Sequence, residues 1–366
     1  MKYGLILSLL FLPLFLNAQE PVVDPLHLRV KVTNVISEKV EQLPGLDQKA
    51  TIQTIQVVGL EDPIKGQEFV IENDYFKSKN GDVFFINYTP VDNGEPLIQV
   101  GEPDRRGVLI SFGILAALAV IVFGGTQGVR SLVALSGSIV LIIFVLAPLL
   151  LSGAPPVLSS VAVAVVILAL VMFLTHGAKR TTYAALIGTS GAVLCAGLLA
   201  LLATYVAKIS GFVSDEATFL FLTTNGAINL SGVFLGATII GMLGVLDDVA
   251  ITQAAMVREF LNSGLSRVET FYRAMRVGRE HVGALVNTLA LAYAGASLPL
   301  ILLFTLSQES VSLILNREIF AGEIIRTAVG TIGLVLAVPL STFAAILLLK
   351  RGEKVEGEHV HHHSHV

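Results

Sequence analysis

The chain has 366 residues, 54% of them hydrophobic and only 14% charged, with a formal net charge of −4. It is too apolar for an ordinary soluble domain, and its slight acidity gives no basis for nucleic-acid binding. Residues 19–105 are polar and rich in acids, whereas most of 107–349 reads as long uncharged blocks. That split predicts a small extramembrane domain followed by an all-α polytopic membrane domain, with the lipid bilayer as its first partner.

The N-terminal stretch MKYGLILSLLFLPLFLNAQE carries one lysine and then an apolar run ending at Asn17-Ala18-Gln19. Such a run is short for a span and suits a secretory signal, so residues 1–18 read as a signal peptide cleaved after Ala18. An uncleaved anchor is the alternative; either way the next segment starts outside. Between residues 19 and 105, the segments 27–37, 50–58, 67–72, 83–88 and 97–100 are rich in Val, Ile and Phe. Turn chemistry separates them at Pro44-Gly45, Gly59, Pro63, Asn80-Gly81-Asp82 and Asn93-Gly94. Five short strands predict a small closed β-barrel of the OB or SH3-like kind, with few free edges. A sensor or docking role and a passive spacer are both open for it.

Seven segments are long enough to cross the hydrocarbon as helices: about 107–125, 131–151, 156–175, 183–207, 228–249, 281–305 and 325–349. Starting outside, this order leaves the C-terminus inside. The predicted inner segments carry Arg130, Lys179, Arg180, Arg258, Arg267, Arg273, Arg276, Arg279, Lys350, Arg351 and Lys354. The outer connections carry Lys208 and Arg317, with Arg326 at a boundary. The bias satisfies the positive-inside rule for a bacterial cytoplasmic membrane. Arg105 and Arg106 break it, but Glu102 and Asp104 sit beside them.

Small residues such as Gly188, Gly191, Gly232, Gly236, Gly241 and Gly244 predict close helix packing. The single cysteine, Cys195, reads as a small buried hydrophobe. Outer loops 208–226 and 306–324 read as surface helices or as gates, and Pro299 and Pro339 as kinks. The tail 351–366 holds His359, His361, His362, His363 and His365. These are weak candidates for a divalent metal, an expression tag being the alternative. No other cofactor is expected.

The polar residues that matter most lie in GMLGVLDDVAITQAAMVREF, residues 241–260, where an apolar span runs into Asp247 and Asp248. Continued helix places Thr252 one turn after Asp248. The next span begins near His281 and carries Asn287 and Thr288, so helical rise puts these groups at similar depth. In one reading an aspartate faces the bundle and binds a proton or cation on a transport path, as intramembrane acids commonly do. In the other, acids near a helix C-terminus need compensation and pair with Arg273, Arg276 or Arg279, with Glu259 among the cytoplasmic charges. An enzyme is not expected. No HExxH, GxSxG or P-loop pattern occurs, and the other six predicted spans lack the second acid that intramembrane aspartyl proteolysis needs.

Together with GREHVGALVNTLALAYAGASLPL at 278–300, the 241–260 stretch resembles the YibE/F-like family of bacterial multi-span membrane proteins. The resemblance covers about 107–349. It rests on Gly241, Gly244, Asp248, Glu259, Gly278, Arg279, Asn287, Thr288, Leu289, Tyr293, Gly295 and Pro299. It implies a membrane protein with an outer β domain, carries Asp248 more firmly than Asp247, and assigns no activity. A secondary transporter or permease, for an unknown solute, is therefore the leading expectation. The rival is a scaffold or sensor that engages a protein partner through its outer domain and reports through the arginine-rich loop 258–279.

Overall fold

The computed structural model describes residues 25–42, 49–91 and 96–350. The expected signal segment, the Pro44-Gly45 and Asn93-Gly94 turns and the histidine tail lie outside the described residues. The chain divides into two compact units, residues 1–116 and 117–366.

The first unit is a curled antiparallel sheet. Its strands are β1 (Leu26–Gln42), β2 (Lys49–Gly59), β3 (Glu68–Asn73), β4 (Val83–Thr89) and β5 (Leu97–Pro103), in the order β3-β2-β1-β4-β5. The long β1 is central: it pairs with β2 from Val30 opposite Gly59 onward, and with β4 from Leu26 opposite Tyr88 to Lys31 opposite Val83. Alternation sends Leu28, Val30 and Val32 to one face, where they bury against Ile55, Val57, Ile71, Phe84 and Ile86. All five expected strands are present, but the closed barrel is not: the sheet is a half-barrel. Register shifts after Val32 and Val35 bend β1 and bring β3 near β5 without a backbone ladder between them. A side chain bridges the two edges instead, the Tyr75 hydroxyl donating to Glu102 Oε1 at 2.6 Å.

Charges gather where the sheet meets the first helix. Arg106 grips Asp104 with Nε at 2.8 Å and Nη2 at 2.6 Å, and its guanidinium lies 5.0 Å from the Phe85 ring centre. Arg29 Nε meets Glu61 at 2.5 Å, with its Nη1 3.9 Å from Asp104. Arg105 pairs with Glu102 at 2.5 Å. The two arginines that break the charge bias are thus each matched by an acid. The Arg106 bonds, with Arg29 nearby, hold the Asp104 carboxyl down at about 2, although partial burial works the other way.

The second unit is helical. The first long helix is α1 (Arg106–Leu141), continued through a π-helical turn (Ile142–Leu146) into α2 (Ala147–Leu151). Then follow α3 (Pro156–His176), α4 (Arg180–Val206), α5 (Asp215–Thr223), α6 (Leu230–Asn262), α7 (Arg267–Ala296), α8 (Leu298–Leu306), α9 (Val311–Asn316) and α10 (Glu318–Leu348). Five helices among the described residues are long and apolar enough to cross a membrane, or six if α7 and α8 form one span bent by 67°. The difference from the expected seven lies in Arg106–Leu151, which runs as a single 46-residue helix. It is sharply broken inside, however. Gly125 has φ 55° and ψ −135°, and a Cβ on Gly128 would stand 2.2 Å from the Val120 carbonyl oxygen. Residues eight apart in an unbroken helix are about 12 Å apart along the axis, so the two arms turn against one another at Gly125.

Helices α4, α6 and α10 form the packed centre, which small residues bring together. Ala184, Ala185, Ala192, Ala196 and Ala200 make the buried stripe of α4. A Cβ on Gly188 would meet the Ser341 Cα at 2.4 Å. Cys195, expected inside, is exposed, at the edge of that stripe on α4. Loops 208–226 and 306–324 contain the short helices α5 and α9. Pro299 stands in the first turn of α8, just after the α7 break, whereas α10 continues through Pro339.

Candidate functional site

Helix α6 starts under an Asn229 cap, whose side chain accepts from the Gly232 N–H at 3.0 Å, and runs unbroken to Asn262. Asp247 therefore lies 17 residues inside the helix, about 26 Å along it. The acids are mid-helix, several turns from the C-terminus, so the unfavourable end-dipole expected for them does not apply.

The two aspartates line a cavity of about 490 Å³ whose walls come from α1, the π turn, α3 and α6. Its polar groups are Gln127, Ser131 and Ser138 from α1, Thr175 and His176 from the end of α3, and Asp247 and Asp248. Ser138 and Thr175 donate to carbonyls of their own helices at 2.9 and 2.7 Å, which leaves their oxygens free as acceptors toward the cavity. The Asp247 Oδ1 atom is buried and has no hydrogen-bond partner. Gly244, expected to be a packing glycine, lines this cavity and has open space where a Cβ would be, whereas Gly232 and Gly236 do press on Pro156 and Ser160.

The partners expected from sequence are elsewhere. Thr252, His281, Asn287 and Thr288 do not line the cavity and are exposed, and the Thr288 hydroxyl donates to Ala284 of its own helix. Arg273, Arg276 and Arg279 are exposed, and among the described residues no ion pair joins them to Asp247 or Asp248. The expected inner loop 258–279 is mostly helix. Arg258 and Glu259 end α6, and α7 begins at Arg267 under a capping box of Ser266 and Glu269, well before His281. Which neighbour faces the acids was not legible: α1 and α3, not α7, supply the wall. Gln127 and His176 carried one usable signal, as polar residues beside the ends of predicted spans.

Two further polar groups stand where sequence placed none. Gln253, 1% exposed, joins three helices by donating to Ala274 O at 2.9 Å and Thr342 Oγ1 at 2.7 Å. Near the start of α10, Glu323 accepts from Arg326 at 2.6 Å and from the Ser297 hydroxyl at 3.1 Å. Among the described residues no three His, Cys, Asp or Glu side chains gather closely enough to hold a metal ion.

The family model described as "YibE/F-like protein" matches residues 112–351. No curated protein and no solved structure matches the chain.

Proposed function

The chain belongs to the YibE/F-like family, and from that premise we propose that it is a secondary transporter or permease rather than an enzyme. In this reading the Asp247/Asp248 cavity binds a proton or small cation on the path. The observation that carries it is the buried, unpartnered Asp247 oxygen, held beside a second carboxylate in a largely apolar cavity whose other polar groups are hydroxyls, an amide and an imidazole. An unpaired buried carboxyl is costly to keep, and ionisable groups within spans typically mark ion or proton pathways.

The proposal includes seven spans in a bacterial cytoplasmic membrane, with the sheet outside and the C-terminus inside. A straight 46-residue helix would run about 69 Å, more than twice the hydrocarbon thickness. The break at Gly125 divides it into arms that each suffice. Gln127 just after that break, His176 at the end of α3 and the two aspartates share one cavity. A chain that alternates sides from an outer start puts all of them on the inner side, where the positive-inside bias also points.

Carboxyl infrared difference spectra of the protein in lipid, between acidic and neutral buffer and with added monovalent cations, test the reading. A carboxyl band that responds and vanishes in Asp247→Asn or Asp248→Asn is expected. Identical responses in the wild type and both variants would remove the site.

A second reading, a scaffold or sensor acting through the sheet, has one observation in its favour. The Arg29, Glu61, Asp104 and Arg106 charges knit the base of the sheet to the first residue of α1. That reading predicts tolerance of Asp248→Asn and failure on deletion of residues 19–105.

A further inference from the structure

A second cavity, of about 540 Å³, lies among α7, α8, α9 and α10 and shares no residue with the aspartate cavity. We propose that it is a binding site for a hydrophobic organic cation, such as an aromatic amine, held between the Glu323 carboxylate and the rings of Phe304, Phe320 and Tyr293. The proposal stands whether or not the chain transports.

The site exists because the α7–α8 helix pair is broken. Helix α7 stops at Ala296, the Ser297 N–H folds back onto the Tyr293 carbonyl at 2.9 Å, and Pro299 starts α8 at an angle of 67°. Irregular backbone at membrane depth is tolerated where protein or a cavity covers it, and broken helices commonly border binding sites. The bend swings α8 away from the line of α7 and opens the space that α9 and α10 close.

Its chemistry selects by charge. Most of the lining is aliphatic or aromatic, and among the described residues Glu323 is the one charged residue that reaches it. Arg326, the partner of Glu323, does not line the cavity; its guanidinium carbon lies 5.4 Å from the ring centre of Phe234. The positive end of the ion pair is thus turned into the protein and the negative end toward the cavity. Arg326 and the Ser297 hydroxyl each take one Glu323 oxygen, which fixes the carboxylate and leaves lone pairs for another donor. The Phe304 and Phe320 rings sit nearly edge to face, with centres 6.0 Å apart. Aromatic faces attract cations and repel anions, more strongly where water is scarce. The Tyr293 hydroxyl is buried without a partner and packs toward Gly241 of α6, where a Cβ would lie 2.9 Å from it, so Tyr293 contributes its ring. A carboxylate and ring faces suit an ammonium group on an apolar body and disfavour an anion.

The test compares two ligands of one shape and opposite charge, 1-naphthylmethylammonium and 1-naphthylacetate, on the full chain in zwitterionic lipid nanodiscs. The chain has no tryptophan, so naphthyl fluorescence anisotropy reads binding directly, against empty discs. Saturable binding of the cation alone is expected, at least tenfold weaker in Glu323→Gln and several-fold weaker in Phe304→Leu, which leaves the ion pair intact. Binding should persist in Asp247→Asn, which separates this site from the proposed ion path. Equal binding of both ligands would reduce the cavity to a generic apolar cleft, and unchanged affinity in both cavity variants would overturn the assignment. If Glu323→Gln fails to insert, the charge preference of the wild type and the loss in Phe304→Leu still decide.

Discussion

Asp104 and Asp247 are the same side chain solved in opposite ways. Asp104, with 13% of its side-chain surface exposed, is enclosed by Arg106 and Arg29, and its two oxygens accept three hydrogen bonds from the Arg106 side chain and backbone. Asp247 stands next to a second aspartate, has no ion-pair partner among the described residues and keeps a buried oxygen without a hydrogen bond. A charge surrounded by matched donors stabilises the fold around it. One left without them at the wall of a cavity costs stability, and such arrangements persist where something has to bind. The contrast makes the first carboxylate structural and the second the candidate site.

Removing each carboxylate should therefore act with opposite sign. Asp247→Asn is expected to abolish the infrared ion response while the thermal midpoint of the protein in lipid stays level or rises. A fall in the midpoint would show that an unseen partner stabilises the acid. Asp104→Asn should leave the ion response intact and loosen the sheet, read as faster amide exchange in β1, β4 and β5.

A pH series sharpens the same comparison. Asp104 is held at about 2 against an ordinary 3.8, and Glu61, Glu38 and Glu102 are held below their ordinary values by Arg29, Lys77, and Tyr75 with Arg105, respectively. A depressed carboxyl contributes stability that is fully present above its unfolded value and lost as pH falls through its folded one. Exchange protection of the sheet should be flat from neutral pH to about 5 and then decline, for the Asp104 share between about 4 and 2. In Asp104→Asn the lowest part of that decline should shrink. A decline centred near neutral pH instead would mean that other groups govern the sheet.

The strands were legible because β1 to β5 alternate Val, Ile and Phe with polar residues between turn signals. The open half-barrel was not, since it depends on register shifts in β1 that no local pattern announces. Apolar runs marked most of the membrane helices, and the polar interruption at Asp247 and Asp248 marked the candidate site. One neighbour escaped because a helix of uniformly apolar residues shows no preferred face: α3 carries Leu, Val and Ala all round. Gln127 and His176 could not be matched to Asp247 without knowing which faces meet. Glu323 was passed over for a simpler reason, as α10 begins at Glu318, seven residues before the apolar run that defined the expected span.

Gln253 sharpens the comparison from the other side, as a buried polar group that is fully used. It follows Asp248 by five residues on α6, yet its amide nitrogen donates to both α7 and α10. Replacing it by Leu removes two interhelical hydrogen bonds and should cost about 1.2 kcal/mol and no more than roughly 3.4, twice the range for a single such bond in membranes. The loss is small because Thr342 keeps its own bond to the Val338 carbonyl at 2.7 Å. Gly278 leaves little room for the new side chain, as a Cβ there would already lie 3.0 Å from Gln253 Oε1. A modest drop in the thermal midpoint with an unchanged ion response is expected for Gln253→Leu. If the ion response vanished as well, the polar tie among α6, α7 and α10 would belong to the path, and α7 would regain the part that its Asn287 and Thr288 do not fill.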